Sequence, residues 1–135
     1  MYKRVMLIDD SEVDRYIGAR NISKYHFSEE VITQPSGRSA LDYLRQSANN
    51  PGMLPELIFL DIRMPDLDGF AFLEEYARLP ESVRQNCIIM MLTTSLSPVD
   101  HERANANKYI RKFLNKPLDK EKLDALNEDD GKDIN

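Results

Sequence analysis

The sequence predicts an α/β protein in which a parallel five-stranded sheet is covered by helices on both faces. Five short apolar runs alternate with segments whose apolar residues recur at helical spacing. The runs at 57–60 and 87–92 are apolar throughout, which is typical of strands buried on both faces. Turn residues follow the runs and end them sharply. The predicted strands are residues 4–8, 31–33, 57–60, 87–92 and 110–114.

Size and charge limit the possible functions. A chain of 135 residues, of which 41% are hydrophobic, is long enough for one domain with one core. The net charge of −5 disfavours non-specific binding to nucleic acid or to an anionic membrane. No apolar run has the length of a membrane span, and the first residues resemble a strand more than a signal peptide. With a single cysteine, which cannot form an internal disulfide, these features predict a cytoplasmic protein.

The first predicted helix follows the strand at 4–8. Ser11 is a suitable N-cap, because its hydroxyl can accept a hydrogen bond from a free N–H of the first turn. The helix is expected to end near Tyr25, and Asn21 interrupts its apolar face. The residues of that face are Val13, Tyr16, Ile17, Ile22 and Tyr25.

Helical spacing also marks the second and third helices. The run at 49–52 contains Pro and Gly and ends the second helix, and Pro80 limits the third. The second helix is expected to bury Ala40, Leu41, Leu44 and Ala48. The third is expected to bury Phe70, Leu73, Tyr76 and Ala77.

The fourth helix has a strong start at Ser97-Pro98. Serine is a good N-cap, and proline fits the first helical position. The negative charge of Asp100 in the first turn interacts favourably with the helix dipole. The helix is expected to end near Asn107. Because it is mostly polar, we expect it to pack weakly and to be mobile.

A fifth helix closes the predicted domain, which comprises residues 1–127. Asp119 is its expected N-cap, and Leu123 and Leu126 are its expected apolar contacts. Residues 128–135 are predicted to form an acidic, flexible tail.

Chemically active residue types occur where the predicted strands end. Asp9 and Asp10 follow the first strand, and Asp61 follows the third. Parallel strands all end at the same edge of a sheet, where open α/β sheets bind their ligands. If the first and third strands are neighbours, three carboxylates meet and need a raised pKa or a cation. The same edge is expected to receive Thr93 and Thr94 after the fourth strand, and Lys116 after the fifth.

This combination of groups suits phosphoryl transfer. Oxygen ligands with an incomplete shell favour Mg²⁺, which keeps some of its water. Asp61 can attack phosphorus, while Mg²⁺ and Lys116 offset charge on the phosphoryl oxygens and Thr93 donates a hydrogen bond. The sequence contains no glycine-rich nucleotide loop, so a bound nucleotide is not the expected donor.

The motifs resemble the receiver domain of bacterial two-component response regulators. They are Ile8-Asp9-Asp10, the run from Asp61 to Gly69 (Asp-Ile-Arg-Met-Pro-Asp-Leu-Asp-Gly), Leu92-Thr93-Thr94-Ser95 and Lys116-Pro117. They occur in the family's order and extend over nearly the whole chain. The resemblance implies a flavodoxin-like three-layer fold with strand order 2-1-3-4-5. It also implies a stand-alone response regulator of the single-domain type.

The resemblance also implies a role for each matching residue. Asp61 would be the phosphorylated residue. Asp10 would bind Mg²⁺ directly and Asp9 mainly through water, with the backbone carbonyl of Arg63 as a further ligand. Thr93 would move towards the phosphoryl group, with Thr94 as the alternative. Lys116 would pair with the phosphoryl group. Phe113 falls near the switch aromatic of the family.

The partners follow from the same resemblance. A sensor histidine kinase or a histidine phosphotransfer protein would donate the phosphoryl group from a phosphohistidine. A downstream effector protein would bind the fourth helix, the fifth strand and the last helix. Neither nucleic acid nor a membrane is expected as a partner, and the protein is expected to be a monomer or a weak homodimer.

Three classes of function remain open at this stage. The first is a stand-alone receiver that accepts phosphate and signals through a partner protein. It is not expected to be an enzyme, apart from self-phosphorylation and self-dephosphorylation of Asp61. The second is a phosphatase that uses an aspartyl phosphate. That class needs a general-acid aspartate two residues after the nucleophile, where this chain has Arg63, and it usually needs a cap domain. The third is a degenerate receiver used for binding alone, against which the intact set of site residues argues.

Overall fold

The computed structural model describes residues 1–134, which form one sheet with helices on both faces. The strands are β1 (Tyr2–Ile8), β2 (Ser28–Gln34), β3 (Leu57–Leu60), β4 (Ile88–Thr93) and β5 (Ile110–Asn115). The helices are α1 (Glu12–Lys24), α2 (Gly37–Gln46), α3 (Gly69–Tyr76), α4 (Glu81–Arg84), α5 (Pro98–Ala106) and α6 (Lys120–Ile134). A 3-10 turn spans Pro51–Met53.

The sheet has five parallel strands in the order β2-β1-β3-β4-β5, which confirms the predicted fold class and strand order. In the pairing register Ile8 lies opposite Leu60, and Leu60 lies opposite Met91. The carboxyl ends of β1, β3 and β4 therefore lie side by side.

Alternation along the strands divides the core into two layers, because successive side chains point to opposite faces of a sheet. Val5, Leu57 and Leu92 belong to the layer that includes Ile22 of α1 and Leu123 of α6. Met6, Ile58 and Met91 belong to the opposite layer, which α2, α3 and α5 cover through residues such as Leu44, Leu73 and Ala104. The central strands are apolar throughout because both faces are covered.

Side-chain caps fix the starts of five helices. Ser11, Ser36, Asp68 and Ser97 each accept a hydrogen bond from the backbone N–H three residues further on. The predicted starts at Ser11 and Ser97 are thus confirmed. The predicted Asp119 cap is confirmed as well, since its carboxylate accepts from the Lys122 N–H at 3.0 Å.

The predicted inner face of α1 is wrong for three residues. Val13, Tyr16 and Ile17 are exposed, whereas Gly18 and Ile22 are buried. Gly18 allows the helix to lie close to β1, because a Cβ at this position would be 2.7 Å from Cδ2 of Leu7. Asn21 does not interrupt the face, since its amide donates to the Leu118 carbonyl at 2.9 Å. Close packing and a polar anchor therefore decide the rotation of α1.

Other boundaries also differ from the prediction, since β1 begins at Tyr2 rather than at residue 4 and β2 spans Ser28–Gln34 rather than residues 31–33. Helix α3 ends at Tyr76, so that Ala77 is exposed as the C-cap, and the short helix α4 was not predicted. Helix α6 continues to Ile134, whereas the sequence predicted that the helix ends before a tail that begins at residue 128. The flexibility of that segment stays a prediction, and Asn135 lies outside the described residues.

Candidate functional site

The carboxyl edge of the sheet gathers the predicted site residues. Asp9 and Asp61 follow β1 and β3 and are buried, and Thr93 is the fully buried last residue of β4. Lys116 follows β5, and its backbone N–H donates to the Thr93 carbonyl at 2.9 Å. The Lys116–Pro117 peptide bond is cis. Strands that are far apart in the sequence thus deliver an acid, a hydroxyl and an amine to one edge.

Three carboxylates form a cluster at this edge. One carboxylate oxygen from each of Asp9, Asp10 and Asp61 can be chosen so that all three lie within 4.8 Å of one another. Asp9 and Asp61 are buried, whereas Asp10 is exposed. Three oxygens at this spacing can hold a metal ion, as the sequence predicted. Hard oxygen donors favour a hard cation such as Mg²⁺ over softer transition metals.

Lys116 is the cation of the site and contacts three carboxylates. Its Nζ lies 2.6 Å from Asp9, 3.0 Å from Asp14 and 3.4 Å from Asp61. Burial opposes the charge on this ammonium group, but hydrogen bonds to Asp9 and Asp14 and the charge of Asp61 outweigh burial and raise the pKa of Lys116. Lys116 therefore stays protonated and offsets part of the negative charge.

The pKa of Asp61 is shifted by its surroundings. Burial disfavours its charged form and is the main reason that its pKa is raised to about 6. Lys116 acts in the opposite direction, and the neighbouring charge of Asp9 raises the pKa further. A hydrogen bond from the Arg63 N–H also favours the charged form. A second cation at this edge would favour the ionised form of Asp61.

The hydrogen bonds of Asp9 bear on its predicted role. Its Oδ1 accepts from the Ser11 N–H at 2.9 Å, and its Oδ2 is the oxygen nearest to Lys116. Because both oxygens already have donors, contact with a cation through water suits Asp9 better than direct ligation. The exposed carboxylate of Asp10 is open to direct ligation. The ligand role of the Arg63 carbonyl stays a prediction.

Gly69 allows the close approach of the chain behind Asp61. A Cβ at residue 69 would lie 2.6 Å from the Asp61 carbonyl oxygen and 3.0 Å from Cα of Ile62. The Gly69 N–H also donates to the Ile62 carbonyl at 2.8 Å. The start of α3 therefore packs directly against the backbone of the acidic residue, and this packing requires glycine.

The two threonines after β4 have different surroundings. Thr93 is buried, and its Oγ1 accepts from the Ser95 N–H at 3.1 Å. Thr94 is exposed and lines a cavity of about 250 Å³ beside Lys116. Both residues are at the predicted edge, and the burial of Thr93 favours it over Thr94 as the residue that responds to the site.

Phe113 lies on β5, where the sequence placed the switch aromatic. Its ring is half-buried and packs against the core layer that α5 covers. The His101 ring of α5 lies over it with the centroids 3.9 Å apart. Phe113 therefore joins β5 to α5, while its switching role stays a prediction.

Two residues at this edge were not predicted as part of the site. Asp14, in the first turn of α1, is a partner of Lys116. Asp100, in the first turn of α5, is buried and accepts hydrogen bonds from Arg63 at 2.7 Å and Ser95 at 2.6 Å. An acid in a first helical turn is usually a solvated partner of the dipole, so the sequence carried little signal for either aspartate.

The fold and the site together define a class of protein. A parallel sheet of order β2-β1-β3-β4-β5, with an acidic cluster and a lysine at its carboxyl edge, is the architecture of CheY-like domains. A model of the response regulator receiver domain matches residues 5–127. The chain belongs to this family, the receiver domains of two-component response regulators.

Individual relatives agree with this assignment. The probable methanogenesis regulatory protein FilR2 of Methanothrix harundinacea (strain 6Ac) is 32% identical over 120 residues, which are 88% of this chain and 75% of that protein. A protein-glutamate methylesterase/protein-glutamine glutaminase of Trichodesmium erythraeum (strain IMS101) is 33% identical over 116 residues. That match covers 83% of this chain but 30% of the methylesterase, so the chain spans under a third of that relative.

A solved structure matches almost throughout. The crystal structure of a two component response regulator from Cytophaga hutchinsonii superposes with a TM-score of 0.86 at 26% identity. The match covers 95% of this chain and 96% of that chain. Among residues 1–134, no helix combines the length and the hydropathy that are needed to cross a bilayer.

Proposed function

We propose that this chain is a phosphorylation switch in which Asp61 accepts a phosphoryl group in a Mg²⁺-dependent reaction. The donor is the phosphohistidine of a sensor histidine kinase or of a histidine phosphotransfer protein. Phosphorylation changes the affinity of the chain for a downstream effector protein. On this proposal the chain is not an enzyme, apart from self-phosphorylation and self-dephosphorylation of Asp61. Stand-alone action stays a prediction.

One observation carries the proposal. The Lys116 ammonium group lies within 3.4 Å of Asp61 and within 2.6 Å of Asp9, at the edge where three carboxylate oxygens lie within 4.8 Å of one another. A nucleophile for phosphorus needs cations around the transferred group, because negative charge is spread over the phosphoryl oxygens. Lys116 supplies one cation, and the acidic cluster supplies the ligands for another.

The residues present fit Mg²⁺ as the second cation. All their donors are oxygens, and the cluster combines an exposed carboxylate with two buried ones. Asp10 and Asp61 would hold the ion directly, Asp9 would hold it through water, and the Arg63 carbonyl is a further candidate. When bound, Mg²⁺ would neutralise charge on the phosphoryl oxygens.

The transfer itself needs few protein groups. A carboxylate oxygen of Asp61 bonds to phosphorus as the bond between phosphorus and the histidine nitrogen breaks, and the electron pair of that bond returns to the imidazole. Lys116 pairs with one of the phosphoryl oxygens. The hydroxyl of Thr93 donates a hydrogen bond to another.

The responding surface consists of α5, β5 and α6. Leu96, just before α5, and Val99, in its first turn, are exposed apolar residues. Phe113 and His101 stack between β5 and α5. A change at Thr93 can reach this surface because Thr93 ends the strand from which the chain enters α5. Exposed apolar side chains next to a movable element suit an effector protein as the partner.

Intact-mass measurement tests the phosphorylation. Wild type, Asp61→Asn and Asp66→Asn are incubated with a small phosphoramidate donor and Mg²⁺. Asp66 is the matched control, because it lies in the same loop, is exposed and pairs with Arg38. We expect wild type and Asp66→Asn to gain the mass of one phosphoryl group, and Asp61→Asn to gain none. Chelation of Mg²⁺ should abolish the gain.

Other results of the intact-mass experiment would contradict the proposal or favour another class of function. An equal gain of mass in Asp61→Asn would contradict Asp61 as the acceptor. Continuous turnover of many phosphoesters by wild type would favour a phosphatase. If wild type gained no phosphoryl group from phosphoramidate and none from a phosphorylated kinase, it would be a binding module.

A further inference from the structure

Asp100 is an unusual acid because it is almost fully buried at the start of a polar helix. The residue is 4% exposed, yet most of α5 is open to solvent. Its Oδ2 accepts from Nη2 of Arg63 at 2.7 Å and from the Ser95 hydroxyl at 2.6 Å. A buried carboxylate is costly unless it is paired and hydrogen-bonded, so these two donors make its position tolerable.

The three residues come from three segments that meet at the phosphoacceptor site. Arg63 is two residues after Asp61, in the loop after β3. Ser95 is two residues after Thr93, in the loop after β4. Asp100 is in the first turn of α5. We name this set (Arg63, Ser95 and Asp100) the Asp100 clamp.

The clamp is linked to Thr93 by a hydrogen bond. The backbone N–H of Ser95 donates to Oγ1 of Thr93 at 3.1 Å, and the Ser95 hydroxyl donates to Asp100. A rotation that turns the Thr93 hydroxyl towards a phosphoryl group takes its oxygen away from Ser95. Ser95 then loses the contact that orients it towards Asp100.

Within the described residues, α5 has few buried side chains. Asp100 and Ala104 are its buried residues, and Val99 is exposed. The guanidinium of Arg103 lies 4.0 Å from the centre of the Phe70 ring, and His101 lies over Phe113. Because α5 has so little apolar burial, the bonds of the buried Asp100 to Arg63 and Ser95 gain importance in fixing the helix.

We propose that Asp100 is a positioning residue of the phosphoacceptor site, which clamps α5 to the loops after β3 and β4 until phosphorylation opens the clamp. The inference rests on the proposed function, because the opening step follows transfer to Asp61. In the unphosphorylated protein the clamp holds Arg63 and Ser95 in place and protects the start of α5. In the phosphorylated protein Thr93 engages the phosphoryl group, Ser95 moves, and α5 is released.

Hydrogen exchange of the full chain tests the clamp before any phosphorylation. The variants are Asp100→Asn and Arg63→Met, and the matched control is Asp66→Asn. The control removes the pair between Arg38 and Asp66, which does not involve α5. The Arg38 side chain is 65% exposed, as is that of Arg63. We expect the amides of residues 98–106 to exchange at least about fivefold faster in both clamp variants and to be unchanged in the control.

The Arg63→Met variant tests the clamp even if Asp100→Asn fails to fold. The Arg63 side chain is exposed, so Arg63→Met opens the clamp from outside if Asp100→Asn does not fold. Arg63→Lys keeps a cation at this position and is expected to restore most of the protection that Arg63→Met removes. A loss that reflected packing alone would not depend on the charge of residue 63.

The second half of the experiment adds the phosphoramidate donor and Mg²⁺, with intact mass recorded on the same samples. Phosphorylated wild type should lose protection in residues 98–106, whereas phosphorylated Asp100→Asn should change little further. Exchange equal to the control in both clamp variants would overturn the clamp. A phosphorylated wild type with unchanged exchange would overturn the opening step and leave the proposed function standing. A wild type that takes a phosphoryl group neither from phosphoramidate nor from a phosphorylated kinase would overturn both the opening step and the proposed function.

Discussion

The Lys116 ammonium lies 2.6 Å from Asp9 and thus closer to it than to Asp61, from which it is 3.4 Å away. Lys116 follows β5 and Asp9 follows β1, and β3 and β4 lie between these strands in the sheet. The lysine therefore extends across the ends of the central strands. In the unphosphorylated protein Lys116 pairs most closely with Asp9, which is not the proposed acceptor. Phosphoryl transfer to Asp61 would therefore require Lys116 to share or change its partner.

Removal of this cation should destabilise the protein. Lys116→Met leaves the buried carboxylates of Asp9 and Asp61 without their ammonium partner, which we expect to lower the free energy of unfolding by about 1–3 kcal/mol at pH 7. Lys120→Met is the control, because Lys120 and Asp124 form an exposed pair, and it should leave the free energy of unfolding nearly unchanged. Urea denaturation without Mg²⁺ measures both, and equal losses would contradict a structural role for Lys116.

The raised pKa of Asp61 predicts a pH dependence of stability. Burial raises this pKa to about 6 from an unfolded value of 3.8, so between these pH values the folded protein keeps a proton that the unfolded chain has released. The free energy of unfolding should therefore fall as pH rises from about 4 to 6, and the Asp61 contribution should be constant above that range. With allowance for solvent screening, the fall is about 1–2 kcal/mol.

Asp61→Asn removes this titration and provides the comparison. The difference in unfolding free energy between the variant and wild type should grow from pH 4 to 6 and then stay constant, in chelator and at fixed ionic strength. Mg²⁺ should reduce the difference, because a bound cation favours the ionised carboxylate. A difference that does not vary with pH would show that Asp61 does not titrate in this range.

Gly69 should tolerate no side chain. Gly69→Ala puts a methyl group 2.6 Å from the backbone oxygen of Asp61, which cannot move independently of the loop. We expect a loss of about 1–3 kcal/mol in unfolding free energy and a slower gain of phosphoryl mass, because the acceptor is displaced. Gly52→Ala is the control, since its Cβ would meet only Asn50 at an ordinary 3.6 Å. Thermal melts would reject this interpretation if both variants lost the same stability.

The two threonines after β4 should differ in function. Thr93→Ala leaves the half-buried Ser95 N–H without its acceptor, which should cost about 1 kcal/mol, and it removes the hydroxyl that we assign to the phosphoryl group. We expect this variant to gain phosphoryl mass but to show no exchange response in α5. Thr94→Ala changes an exposed residue and should behave as wild type in both assays. A lost response in Thr94→Ala alone would reverse the assignment.

The sequence alone predicted the main features of the fold and the site. Apolar runs and helical spacing identified the five strands, and the residues that follow these runs identified Asp9, Asp61, Thr93 and Lys116. These predictions succeeded because they depend on local periodicity and on one topological fact, that parallel strands end at a common edge. The strand order came from the resemblance to receiver domains, and the structure confirms it.

Tertiary structure decided which side chains each helix turns inward. Helix α1 buries Gly18 and directs Asn21 to Leu118, while the apolar Val13 and Tyr16 stay exposed. The rotation of a helix depends on how closely its backbone can approach a strand and on which polar partners lie opposite, and neither is encoded in the helix alone. The same holds for Asp14 and Asp100, which are ordinary first-turn acids in the sequence. They acquire partners only because folding brings Lys116 and Arg63 from distant parts of the chain to their side.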